Sequence, residues 1–161
     1  MQSKTDSGIT GKARERLARI LKYVLREECF LLEATRDYRG SVTGPNRYSL
    51  HRLFDEQRRQ LDYWLDRVIE RTSSAGLKKR DVSAETNVRN NLERCGAGLP
   101  ARSLIGDLLQ RHEHIAQRLR DDIGRLHDPA TADFLLGLVE FHETTAWMLR
   151  VVNEGSDPAA V

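Results

Sequence analysis

From residue 11 to about residue 38, apolar side chains recur every three or four positions, at Leu17, Ile20, Leu21, Val24, Leu25, Leu31 and Leu32. A stripe of that length predicts a helix of roughly 40 Å at about 1.5 Å per residue, and such a helix buries its whole face only against equally long neighbours. The pattern returns three times. Residues 47–74 carry Leu50, Leu53, Phe54, Leu61, Trp64, Leu65 and Val68. Residues 101–126 carry Leu104, Leu108, Ile115, Leu119 and Ile123. A fourth stretch opens on Asp128 as N-cap with Pro129 in the first turn, and carries Leu135, Leu138, Phe141, Thr145, Leu149 and Val152. Nowhere does the chain alternate with the two-residue period of a strand. The first helix is expected to stop before Gly40 and the SVTGPN turn, the second at Gly76, and the fourth before the polar, proline-marked tail NEGSDPAAV.

Between residues 76 and 101 the apolar repeat lapses into GLKKRDVSAETNVRNNLERCGAGLP. Its middle predicts a short helix capped by Ser83, and a connection of this length lets the helices on either side run parallel. The fold class read from these elements is all-α: a ferritin-like four-helix bundle with a long crossover carrying a short helix between helices 2 and 3. All 161 residues read as a single domain, 1–161, with 1–10 and 154–161 as flexible tails.

Lysine and arginine number 26 against 24 acidic residues, a formal charge of +2, which excludes the strong basicity of a dedicated nucleic-acid binder. Many arginines sit within one turn of an acid, as in Arg14/Glu15, Arg58/Asp62 and Arg67/Glu70, and read as surface pairs. Cys29 and Cys95 lack metal-site spacing, and Cys29 falls in an apolar run as a small buried hydrophobe. With no signal-like leader and no apolar run of membrane length, the expectation is a cytoplasmic protein without a membrane partner.

The second helix carries more than a core stripe. At about 100° per residue, His51, Asp55, Asp62, Asp66 and Glu70 fall within about a third of a turn of one another, beside the apolar arc. Carboxylates and imidazole are the ligand types that suit iron, manganese or zinc. A solvated charged face gives the same spacing. His112, Glu113, His114, His142 and Glu143 lack the Glu-x-x-His spacing of a metal site inside a bundle, and His112, on the apolar stripe, reads as a hydrogen-bonded core histidine. Glu33 reads as a polar surface or cavity-facing residue, and Trp147 and Met148 as core or subunit-contact residues.

Several segments in order resemble one family. TGPNRYSLHRLFDEQ is similar to its TGPNFxxLHxLFDEQ, DRVIERTSSAG to DxxAERxxxLG, and DPATADFLLGLVEFHETTAWMLR to DxxTADLLxxxxxxHExxAWMLR. ITGKARERLARIL and LLEATRDY resemble the family's opening helix. The family is Dps, ferritin-like proteins of starved bacteria that assemble into twelve-subunit hollow shells. The resemblance covers nearly the whole chain. It implies a stress-protective shell that takes up Fe(II), lets hydrogen peroxide or dioxygen oxidise it, and stores ferric iron, with iron as the metal and a homo-oligomer, a dodecamer built from two-fold dimers, as the assembly.

The family's iron site spans a dimer interface. Carried over position by position, the resemblance assigns His51 and Asp55 from one subunit and Asp66 and Glu70 from the other as metal ligands, with Asp66 and Glu70 as the catalytic pair. Where the family reads HWNVTGP, this chain reads RGSVTGP, so Arg39 stands in place of a histidine ligand. A guanidinium has no lone pair for a metal. Two placements of Arg39 are open: forked onto Asp66 or Glu70 of the neighbouring subunit as a built-in cation, or swung out to solvent. The resemblance further implies that Asp128 and Asp133 line pores that draw in cations, although Asp128 is also explained as an N-cap. For DNA, the first sixteen residues hold Lys4, Lys12, Arg14 and Arg16 against Asp6 and Glu15, a thin signal that twelve copies would multiply. The alternative to an iron-oxidising shell is one whose interface site is impaired and whose role is structural, DNA-binding or co-assembly. A helical adaptor that never assembles is a third reading.

Overall fold

The computed structural model describes residues 11–77 and 99–155. Helices α1 (Gly11–Ser41), α2 (Arg47–Ser74), α3 (Ala101–Ile123) and α4 (Pro129–Gly155) account for nearly all of them, and no strand occurs among the described residues. The hairpins α1/α2 and α3/α4 lie side by side, with α1 also along α3 and α2 along α4. This is the four-helix bundle expected from the apolar periodicity. The short crossover helix with its Ser83 cap, Cys95, residues 1–10 and residues 156–161 lie outside the described residues.

Helix ends depart from expectation by a few residues, each for a local reason. α1 runs on through Gly40 to Ser41, because Val42 N–H still reaches the Tyr38 carbonyl at 3.1 Å and the Ser41 hydroxyl bonds the Asp37 carbonyl at 2.9 Å. α3 ends at Ile123 rather than 126, its exit tightened into three-residue turns by Arg125 N–H to the Asp122 carbonyl and Leu126 N–H to the Ile123 carbonyl. α4 continues through Asn153 to Gly155, because polar residues alone do not break a helix and Pro158 comes too late to stop it. α2 stops where Gly76 adopts φ +70°, with Leu77 N–H bonded to the Thr72 carbonyl and Gly76 N–H to the Ser73 carbonyl, the paired bonds of a Schellman motif. Arg14 then donates to the Gly76 carbonyl at 2.9 Å and ties that turn to α1.

The stripes meet in a core whose largest fully buried members include Phe54, Leu21, Leu61, Leu108, Leu135 and Leu149. Gly137 lets the Trp64 indole lie against the α4 backbone, where an added Cβ would come within 3.2 Å of it. Trp147 is 62% exposed and is not part of this chain's core. Cys29 is half-buried against the core, and its surroundings raise the thiol's pKa, chiefly by desolvation.

The core is not wholly apolar. Glu28 of α1, His112 of α3 and His142 of α4 are each completely buried. His142 Nε2 lies 2.8 Å from Glu28 Oε1, and His142 Nδ1 lies 2.9 Å from His112 Nδ1. Of two facing ring nitrogens, one must donate and the other accept, so the contact cannot survive with both rings doubly protonated. Burial pushes the His112 imidazole well below its usual value of 6.5, and the neighbouring His142 acts in the same direction. The unfolded chain therefore takes up this proton first as pH falls. Stability tied to neutral His112 is complete above about pH 6.5 and is lost progressively below it. Melting temperature followed from pH 7 to pH 5 should drop more in the native chain than in a His112→Asn variant, which keeps a polar partner for His142 but cannot titrate. Equal drops would mean the pair does not report pH.

Candidate metal centre

The polar stripe of α2 is a consequence of its core stripe: with Phe54, Leu61 and Val68 pinned inward, His51, Asp55, Asp66 and Glu70 are carried round to the bundle's flank. His51 and Asp55 are half-buried near the start of the helix, whereas Asp66 and Glu70 are exposed near its end. Fifteen residues separate the two pairs, roughly 22 Å along a straight helix. Among the described residues no three His, Cys, Asp or Glu side chains of one chain converge to hold an ion. On one chain the candidate ligands thus form two separate pairs, each a candidate half-site, rather than one cluster.

At the first half-site the chain supplies its own cation. Arg39, in the last turn of α1, places Nε 2.6 Å from Asp55 Oδ1, and its terminal nitrogen donates to Oδ2 at 3.1 Å. This ion pair holds the Asp55 carboxyl below its ordinary value, the hydrogen bond being the larger cause and the guanidinium charge adding to it. The partner is thus Asp55 of the same chain, a contact that spacing alone did not suggest. His51 Nε2 is buried and has no hydrogen-bond partner, which leaves an imidazole nitrogen uncommitted beside the occupied carboxylate.

At the second half-site, Glu70 and Asp133 share a groove of about 500 Å³ between the end of α2 and the start of α4. Neither they nor Asp66 forms an ion pair among the described residues. Asp128 is committed elsewhere: it accepts from the Thr131 backbone N–H and hydroxyl as an N-cap and from Arg71 at 2.8 Å. The Thr131 hydroxyl is the largest of the influences that lower its pKa. Of the two acids proposed for a pore, only Asp133 has a free carboxylate. Arg67 lies over Tyr63, Trp64 and Phe134, within 5.9 Å of each ring centre, and donates to the Tyr63 hydroxyl instead of pairing with Glu70. Arg58 does approach Asp62, at 4.0 Å. Glu113 and Glu143 pair with Arg150 and Arg120 and contribute to no second metal set.

Residues 18–154 match the ferritin-like domain. The chain belongs to the ferritin-like family. Within that family it groups with the Dps proteins. An uncharacterized low temperature-induced protein of Nostoc sp. strain PCC 7120 is 33% identical over 153 residues, covering 92% of this chain and 86% of that one. DNA protection during starvation protein 2 of Bacillus anthracis is 26% identical over 112 residues, 68% of this chain and 77% of its own. The solved structure of DpsC from Streptomyces coelicolor superposes with a TM-score of 0.78 at 24% identity, covering 96% of this chain and 92% of that one.

For a ferritin-like protein, the donors on α2 have the right chemistry for iron: hard carboxylate oxygens and one uncommitted imidazole nitrogen. Arg39 stands in the way at Asp55 alone. In an Arg39→Gln variant, carbon NMR titration of the Asp55 carboxyl should show its pKa moving up toward the ordinary aspartate range. An unchanged titration would mean that the guanidinium is not what stabilises the carboxylate.

Proposed function

We propose that this ferritin-like protein is a stress-protective iron-sequestering shell that oxidises Fe(II) at sites shared between two subunits. The fold and family support iron sequestration and protection from stress as the general role. The observation that carries the finer reading is the pair of half-sites at opposite ends of α2. A two-fold axis across the middle of that helix sets the His51/Asp55 end of one copy against the Asp66/Glu70 end of the other, and does so twice per dimer. Each shared site then holds three carboxylates and an imidazole. Six such dimers make the twelve-subunit shell of the Dps kind, and gel filtration should place the particle at about twelve times the 18.4 kDa chain mass. A monomer would remove the shared site altogether.

Fe(II) is the substrate. The exposed carboxylates of Asp66 and Glu70 bind it, Asp133 in the same groove adds negative charge on the approach, and the anionic site favours the more highly charged ferric product. Two Fe(II) ions give one electron each to one hydrogen peroxide, whose O–O bond breaks to leave two hydroxide ions. Dioxygen is the other oxidant the chemistry accepts. Arg39 sets the pace at the remaining ligand, since iron must displace a guanidinium before Asp55 is available.

That same ion pair favours a second reading, a shell whose oxidising site is impaired and whose role is structural, DNA-binding or co-assembly. An anaerobic Fe(II) titration of the assembly followed by hydrogen peroxide separates the two. Oxidation should be fast in the native protein, at least about tenfold slower in Asp66→Ala/Glu70→Ala, and faster still in Arg39→His. Slow oxidation indifferent to all three positions would establish the second reading.

A further inference from the structure

Away from the carboxylates of α2, the amino-terminal half of α1 and the carboxyl-terminal end of α3 enclose a cavity of about 290 Å³. Arg16, Arg19, Arg118 and Arg125 line it, together with Tyr23 and Asp122. Four guanidiniums therefore face a single carboxylate, and that carboxylate is already engaged, accepting from Arg118 Nε at 3.0 Å. Arg16 uses one N–H on the Arg125 carbonyl at 2.9 Å, which caps the negative end of α3. The side chains of Arg19 and Arg125 have neither a hydrogen bond nor an ion pair among the described residues. Elsewhere on this bundle Arg26, Arg58, Arg59, Arg71, Arg111 and Arg150 each find an acid.

A second observation stands apart from the charge. The Tyr23 hydroxyl, at this cavity, is buried and has no hydrogen-bond partner. A buried hydroxyl without a partner loses its water without compensation. Burial also pushes its pKa up to about 12, so it remains a donor at any physiological pH. Uncommitted guanidinium forks and a spare hydroxyl donor in one concavity, with the lone carboxylate already held by Arg118, are what a tetrahedral oxyanion requires.

We propose that this α1/α3 cavity is a phosphate-binding site, taking inorganic phosphate or a phosphodiester of a nucleic-acid backbone, with Arg19 and Arg125 as the gripping pair. It is independent of the iron reading, because none of its residues lies on α2. The guanidiniums supply charge-assisted hydrogen bonds to the phosphate oxygens, and Tyr23 donates from the floor.

The test uses the full-length assembly at constant ionic strength set with potassium chloride. Inorganic phosphate is titrated calorimetrically into the native protein, into Arg19→Gln/Arg125→Gln, and into a control, Arg36→Gln/Arg52→Gln, whose arginines are exposed and lie outside the cavity. Neither the Arg19 nor the Arg125 side chain has a partner to lose, and equal melting temperatures without phosphate confirm that the variants fold. A short DNA duplex is titrated in parallel at several salt concentrations. Loss of at least about tenfold in phosphate affinity in the cavity variant alone supports the site, with free phosphate as its source if duplex binding is unchanged. Weaker duplex binding with a flatter salt dependence in the cavity variant alone supports it with nucleic acid as the source. Phosphate and duplex affinities that match in the cavity variant and the control overturn it.

Discussion

Asp66 and Glu70 stand fifteen residues beyond His51 and Asp55 on one uninterrupted helix, so the two pairs are held roughly 22 Å apart whatever their side chains do. The helix cannot bend to unite them, because Phe54, Leu61 and Val68 along this stretch are fully buried in the bundle. That rigidity is what the proposed shared site depends on: ligands kept apart on one chain would meet only across an assembly, and one two-fold axis would complete two sites at once. The Gly76 turn and the Arg71–Asp128–Thr131 links fasten the end of α2 that carries Glu70, so the exposed half-site is presented on a stiff support.

Electrostatics then distinguishes the two half-sites. Asp66 and Glu70 are open carboxylates, ready for a cation. Asp55 already has one. The Arg39 ion pair neutralises Asp55 within its own chain, and in the proposed shared site it would relieve repulsion among the carboxylates. In the proposed shared site Arg39 would have two inseparable roles, stabilising the carboxylates and competing with iron for Asp55. The arginine cavity on α1 and α3 has the opposite character, with cations in excess and an unpartnered tyrosine hydroxyl.

The bundle was legible because its signal is repetitive: four apolar stripes, a capping Asp128 and a stop at Gly76 each agree with the fold. The buried polar centre was half legible. His112 stands on a stripe and reads as a core histidine, whereas His142 is weighed only as a metal candidate and Glu28 not at all, although Leu21, Val24, Glu28 and Leu31, and Leu135, Leu138, His142 and Thr145, keep the same three-to-four spacing. A charged letter masked a periodic position. The Arg39–Asp55 fork, the stacking of Arg67 and the reach of Arg71 to Thr131 were not legible, because each side chain had several partners within reach and packing across the bundle chose among them. The ends at Ser41 and Ile123 differ from expectation by a few residues where single hydrogen bonds decide, and the end at Gly155 because polar residues do not stop a helix.

The central claim is that each site is built from two chains. It is tested by co-assembling two inactive variants, His51→Ala/Asp55→Ala and Asp66→Ala/Glu70→Ala, and measuring Fe(II) oxidation by hydrogen peroxide. In a mixed dimer one site loses all four ligands and the other keeps all four, so the mixture should recover a substantial part of native activity while each variant alone stays inactive. A mixture as inactive as its components, with mixed dimers verified by mass, would contradict a shared site.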